Sequence, residues 1–116
     1  MEYIKVEISD GVAILTLDDP DKRNAINLTM NDEICEVLEE LEGSEEVGAL
    51  VVTGAGKGFC SGADLDDLLA ARERDNIRDI YRGFLRIADS SLPTIAAVNG
   101  AAVGAGMNMA LACDVI

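Results

Sequence analysis

An α/β fold built on parallel strands is what the sequence predicts, and three observations carry that expectation. Residues 48–53 and 94–98 are short runs, apolar and rich in β-branched residues, with the composition of strands buried on both faces. Each is followed by a glycine-rich turn and then by a segment of good helix formers. The order strand, glycine turn, helix therefore occurs twice in 116 residues, a length that holds one domain with a real core but not two.

The chain opens with Tyr3-Ile4-Lys5-Val6-Glu7-Ile8, which alternates as a half-exposed strand does. Asp10-Gly11 is a hairpin turn signal, and Val12-Ala13-Ile14-Leu15-Thr16-Leu17 returns as a second, more buried strand. A polar loop follows, Asp18-Asp19-Pro20-Asp21-Lys22-Arg23-Asn24. Thr29, with Asp32 three residues on, is a weak capping box and predicts the start of a helix. Met30, Ile34, Val37, Leu38 and Leu41 then keep helical spacing, with Glu33, Glu36, Glu39 and Glu40 forming a solvated opposite face. Gly43 and Ser44 end it. After the strand at 48–53, residues 54–65 form the first glycine turn, and Asp64 is placed to cap the helix that begins there. A further helix over residues 77–88 carries Ile77, Ile80, Tyr81, Phe84, Ile87 and Ala88 on one side. After the strand at 94–98 come Gly100, Gly104 and Gly106, then a helix over residues 107–113 with Ala110 and Leu111 suited to a buried face.

Composition narrows the chemistry. A formal net charge of −13 argues against nucleic acid or an anionic membrane surface as a partner. No apolar run approaches membrane-spanning length, and the N-terminus lacks the pattern of a signal peptide. Cys35, Cys60 and Cys113 are odd in number and widely spaced, which favours buried free thiols in a reducing compartment, the cytoplasm. With no histidine, a Ser-His-Asp or Cys-His site is excluded and the commonest zinc ligand is missing, so no metal site is expected. Carboxylates, backbone amides or groups outside this chain must carry any reaction.

The two glycine turns fail the familiar phosphate and hydrolase motifs. Lys57 follows Gly56, but Gly58 stands where a P-loop needs Ser or Thr, and no G-x-G-x-x-G occurs. Ser61 lacks the flanking glycines of a nucleophile elbow. What remains is positional. If the strands ending at Thr53 and Val98 lie side by side, both turns leave the same sheet edge and present backbone N–H groups at helix starts. Two such donors facing one point make an oxyanion hole, which stabilises charge developing on a carbonyl oxygen. Lys22 and Arg23 read either as solvated loop residues or as cations placed for an anion such as a phosphate.

Three blocks together carry a resemblance: Lys22-Arg23-Asn24-Ala25, then Gly58-Phe59-Cys60-Ser61-Gly62-Ala63-Asp64-Leu65, then Val98-Asn99-Gly100 through Asp114. In their order and approximate spacing they resemble the enoyl-CoA hydratase/isomerase (crotonase) family. The resemblance covers the chain from the first hairpin to Ile116. It implies a spiral of ββα units, of which residues 1–116 would be the N-terminal part of an acyl-CoA-binding core, and assembly into homotrimers or hexamers. It implies that Ala63 and Ala105 give the two oxyanion N–H groups, the second from Gly104-Ala105-Gly106 where the family has three glycines. An alanine keeps that N–H provided its φ admits a Cβ. It places the CoA nucleotide near Lys22, Arg23 and Ala25 and the acyl-pantetheine beside Ser61, Ala63, Asp64, Leu65 and Asp66. No cofactor beyond the CoA moiety is implied.

Two departures qualify the chemistry. The family's first catalytic glutamate falls where this chain has Asn108, and an amide is no general acid or base at neutral pH. Asn108 is left to orient a water or a carbonyl, or simply to cap or pack at the helix start. The family's later catalytic position falls beyond Ile116. The expected reaction is hydration or isomerisation of an enoyl-CoA, with a non-catalytic CoA-ester-binding or assembly protein as the alternative. The segment alone is expected to leave apolar faces uncovered and to be poorly soluble.

Overall fold

The computed structural model describes residues 1–116 and is mixed α/β, as expected. A four-stranded sheet runs in the order β1 (Ile4–Ser9), β2 (Val12–Leu17), β3 (Ala49–Gly54), β4 (Thr94–Ala96). The first two strands form an antiparallel hairpin with Ser9 opposite Val12. Asp10 and Gly11 both take positive φ, 52° and 82°, the mirror-image turn whose twist matches the strands it joins. β3 then lies parallel to β2, and β4 parallel to β3 with Leu50, Val51 and Val52 opposite Thr94, Ile95 and Ala96. The condition set by the sequence is met: both glycine turns leave neighbouring parallel strands at the same edge.

α1 (Leu28–Glu42) returns the chain from β2 to β3. Its cap is Asn27, not Thr29: the Asn27 side-chain Oδ1 accepts from the Met30 N–H at 2.7 Å, which leaves Thr29 as the second residue of the helix. Asparagine outranks threonine as a cap, and here its amide oxygen reaches the N–H of the third helical residue. Met30, Ile34, Val37, Leu38 and Leu41 are buried as the spacing requires. The acidic face is only partly a solvated one, because the Glu33 carboxylate accepts the N–H groups of Glu2 and Tyr3, both at 2.8 Å.

α2 (Leu65–Glu73) buries only Ala71, and α3 (Arg78–Ala88) packs on α1. The joint between α1 and α3 is polar at its centre. Asn31, 1 % exposed, donates to the carbonyls of Asp79 and Ile80 and accepts from the Gly83 N–H. Gly83 has no side chain because the Asn31 amide oxygen lies where a Cβ would stand. Arg82–Asp32 and Arg86–Glu42 pairs flank the joint. Of the residues expected on the buried side of α3, Ile77 and Ala88 are exposed; each stands at an end of the helix, beyond the reach of α1.

Two further expectations need correction at the C-terminal side. β4 stops at Ala96 rather than running to Val98, and Ala97, Val98 and Asn99 are exposed. α4 (Ala105–Leu111) begins two residues earlier than the helix formers suggest, and Leu111 is 60 % exposed while Ala105, Gly106, Met109 and Ala110 are buried. Ile95, Val98, Met107, Leu111, Val115 and Ile116 leave this side of the molecule apolar and uncovered. The core is a single cluster of sheet residues such as Leu15, Leu17, Leu50 and Val52, closed by α1 and by Phe59 from the first glycine turn. No helix is long and apolar enough to cross a membrane.

Candidate active site

The site grows from the ends of β3 and β4. After Gly54 the chain makes a tight turn to Phe59, fully buried, which pins the loop into the core. Phe59 and Cys60 both donate their N–H groups to the Ala101 carbonyl, at 3.1 and 3.2 Å, and the Val103 N–H donates to the Cys60 carbonyl at 3.0 Å. A single parallel bridge, Cys60 to Ala102, thus joins the two glycine turns. Gly106 closes the joint, since a Cβ there would stand on the carbonyl of Cys60.

Three residues after Cys60, Ala63 pairs with Ile26 as an isolated parallel bridge. The Ile26 N–H donates to Gly62 and the Asp64 N–H to Ile26, both at 2.7 Å. Alternation along an extended chain then turns the N–H of Ala63 away from that pairing. It has no acceptor within the molecule.

The second turn reaches the same result differently. The Gly106 N–H donates to the Val103 carbonyl at 2.8 Å, and Gly104 between them has φ 55° and ψ −120°. That is a type II′ turn, whose first central position only glycine takes without strain. Its central peptide is flipped, and the Ala105 N–H has no acceptor either. Ala105 itself is the first residue of α4 and is not among the positive-φ residues, so its Cβ is admitted at no backbone cost.

Most of the residues expected at a substrate site are brought together. Residues 22–26 run alongside 61–64: the Ser61 N–H donates to the Arg23 carbonyl at 3.0 Å and its Oγ to the Lys22 carbonyl at 3.2 Å. Ala25 is half-buried within this strip, its N–H donating to the Lys22 carbonyl. Lys22 Nζ lies 4.0 Å from Asp64, whose other oxygen caps α2 by accepting the Asp67 N–H at 3.0 Å. Arg23, Lys57, Gly58, Ser61, Ala101 and Val103 line a cleft of about 260 Å³. Leu65 and Asp66, the next residues along, are exposed on the first turn of α2. Asn108 is exposed on α4 and its side chain makes no hydrogen bond; the capping position is Gly104, so the capping and packing account of Asn108 does not hold.

Burial pushes the Cys60 thiol up and the Cys113 thiol up to about 11. Both therefore stay protonated at neutral pH and are packing groups rather than nucleophiles.

Sequence reasoning gave no role to three side chains, having weighed Lys57 only as a P-loop lysine. Lys57 adds a second cation to the cleft beside Arg23. Asn24, fully buried with φ 58°, accepts from the Asp19 N–H and donates to the carbonyls of Ala55, Gly58 and Phe59. Asn99 accepts from the Gly54 N–H and donates to Gly56 and Gly58. The signal was faint: asparagine beside glycine-rich turns, where loop carbonyls need donors.

The family model for enoyl-CoA hydratase/isomerase matches residues 7–116. This chain belongs to that family. A probable enoyl-CoA hydratase of Mycobacterium tuberculosis is 46 % identical over 115 residues, which cover 97 % of this chain and 45 % of the relative. A 1,2-epoxyphenylacetyl-CoA isomerase of Escherichia coli is 35 % identical over 127 residues, covering all of this chain and 47 % of the relative. Among solved structures, an enoyl-CoA hydratase/isomerase from Xanthobacter autotrophicus superposes with a TM-score of 0.88 at 35 % identity, over 97 % of this chain and 44 % of the other. The chain spans about half the length of the curated relatives it matches. The fold is that of the family, and its members include both hydratases and isomerases.

Proposed function

We propose that residues 1–116 form the N-terminal part of an acyl-CoA site, in which the N–H groups of Ala63 and Ala105 receive the thioester carbonyl oxygen of an enoyl-CoA. The single observation that supports this reading is the pair of donors left without acceptors on two turns that are bonded to each other. When water adds across the double bond, or a proton leaves the α-carbon, negative charge moves onto that oxygen. Donors already fixed in place stabilise it without reorganising. Arg23 and Lys57 at the neighbouring cleft supply the positive charge that the phosphates of CoA need, with Lys22 beside them; no cofactor beyond CoA enters. Ser61, Ala63, Asp64, Leu65 and Asp66 then flank the acyl-pantetheine, with Ala25 facing the nucleotide.

Asn108 orients a water or a carbonyl but takes no proton, so the base is a residue of the full-length protein outside this chain. The uncovered apolar side formed by β4 and α4 is where the rest of the family's length packs, and the assembled form is a homotrimer or hexamer. Three free cysteines suit a cytoplasmic setting.

Ala105→Pro tests the oxyanion reading. Proline is accepted at the first position of a helix, and the N–H it deletes bonds nothing in the molecule. In the full-length protein kcat for an enoyl-CoA should fall by about 10²- to 10³-fold, while CoA itself binds as before. An unchanged kcat would sink the assignment. A second reading, a binding protein without catalysis, is favoured by the amide at position 108; tight enoyl-CoA binding by the full-length protein without turnover would establish it.

A further inference from the structure

We propose that Asn99 is a positioning residue, whose side-chain amide sets the separation between the turn that carries Ala63 and the turn that carries Ala105. The inference rests on the reading above.

Asn99 stands at the root of the second turn, yet every hydrogen bond of its side chain goes to β3 and the first turn. Its Oδ1 accepts the Gly54 N–H at 3.2 Å, with the Thr53 hydroxyl at 3.5 Å, and its Nδ2 donates to the Gly56 and Gly58 carbonyls, each at 3.2 Å. Immediately after it, Gly100 is packed so closely on the Lys57 carbonyl that no Cβ fits. The next residue, Ala101, takes the N–H groups of Phe59 and Cys60 on one oxygen. Residues 99–101 and 54–60 are therefore bonded side by side from Asn99 onward, and the path runs on through Cys60 to Ala63 and through Val103 to Ala105.

The amide is the only side chain of the second turn that acts in this way. Asn24 holds the same loop from the other side and meets Asn99 on one atom, the Gly58 carbonyl, which accepts from both at 3.2 Å. Asn24 fixes the first turn to the polar loop after β2, whereas Asn99 fixes it to the second turn. Only the second attachment governs how far apart the two donors stand.

Asn99 is exposed, so its truncation leaves no polar group stranded in the core, and Asn24 still satisfies Gly58. Asn99→Ala in the full-length protein should lower kcat for an enoyl-CoA by about 10- to 100-fold. KM and the affinity for CoA alone should stay within about threefold, because a donor misplaced for the developing charge costs the transition state more than the ground state. Asn99→Asp, which keeps the acceptor but loses both donor contacts, should fall with it. A kcat within twofold of the wild type overturns the proposal, as does a rise in KM that accounts for the whole loss. If the wild-type protein binds enoyl-CoA and does not turn it over, the oxyanion reading fails separately. The positioning claim is then decided by the crystal structure of Asn99→Ala: residues 54–63 displaced relative to 100–106 support it, and an unchanged superposition overturns it.

Discussion

The turn between β3 and α2 and the turn between β4 and α4 each leave one main-chain N–H without an acceptor, yet they are held by different means. The first is held by side chains: two asparagines take its carbonyls, a buried phenylalanine anchors it, and Asp64 caps the helix that follows. The second is held by the lack of side chains. Gly100 and Gly106 let its backbone lie directly on the carbonyls of Lys57 and Cys60, Gly104 supplies the positive φ, and α4 has no side-chain cap. The first turn needs glycines of its own as well, Gly54 against the main chain of Gly58 and Phe59 and Gly56 and Gly62 at positive φ, but it depends on remote donors in addition. A loop fixed by close backbone approach depends on its own glycines and little else.

That contrast is breakable by substitution. Gly106→Ala places a methyl on the Cys60 carbonyl and against the Cys60 Cβ, neither of which is the free end of a flexible side chain. It should cost about 3 kcal/mol of stability, read from denaturant unfolding of the full-length protein. A loss below half of that would mean the two turns separate easily and the backbone contact holds little. Asn24→Ala should cost about 2 kcal/mol, since it removes the donor to the buried Phe59 carbonyl and the half-buried Ala55 carbonyl and the acceptor of the Asp19 N–H. If Asn24→Ala proves the more damaging of the two, the ranking of the turns is reversed.

Glu42→Gln serves as the outlying comparison, because it acts at the joint of α1 and α3 and touches neither turn. The hydrogen bond from Arg86 holds the Glu42 carboxyl below its ordinary value, against the opposing effect of burial. A group lowered on folding adds stability above the usual carboxylate range and loses that contribution as the pH falls through its folded value. Wild type should therefore exceed Glu42→Gln by about 1 kcal/mol at neutral pH, and the two should converge in acid. Parallel curves across the acid range would show that the pair contributes nothing.

How much of this was legible follows from the same contrast. The second turn was readable because glycines announce close approach in the sequence itself, and the parallel neighbours β3 and β4 were readable from their unbroken apolar runs. The hairpin at Asp10-Gly11 and the cap at Asp64 rest on local chemistry and were legible too. Asn24, Asn99 and Lys57 were not, because their partners lie more than 30 residues away or across a cleft that no periodicity encodes. The same holds for Glu33, which reads as one more solvated acid until the folded chain brings Glu2 and Tyr3 against it. Asn27 was missed for a nearer reason: two residues able to cap stood within one turn, and spacing alone does not choose between them. Leu111 was misplaced because helix formers tell where a helix can run, not which of its faces finds cover.

The donors at Ala63 and Ala105 belong to the main chain, and nineteen of the twenty amino acids would bring the same N–H to either position. On the proposed reading, any exchange that the packing around Ala63 and Ala105 accommodates would keep both donors, while loss of the asparagines and glycines that hold the two turns would not. A map of mutational sensitivity would thus trace the scaffold around the two proposed donors more clearly than the donors themselves.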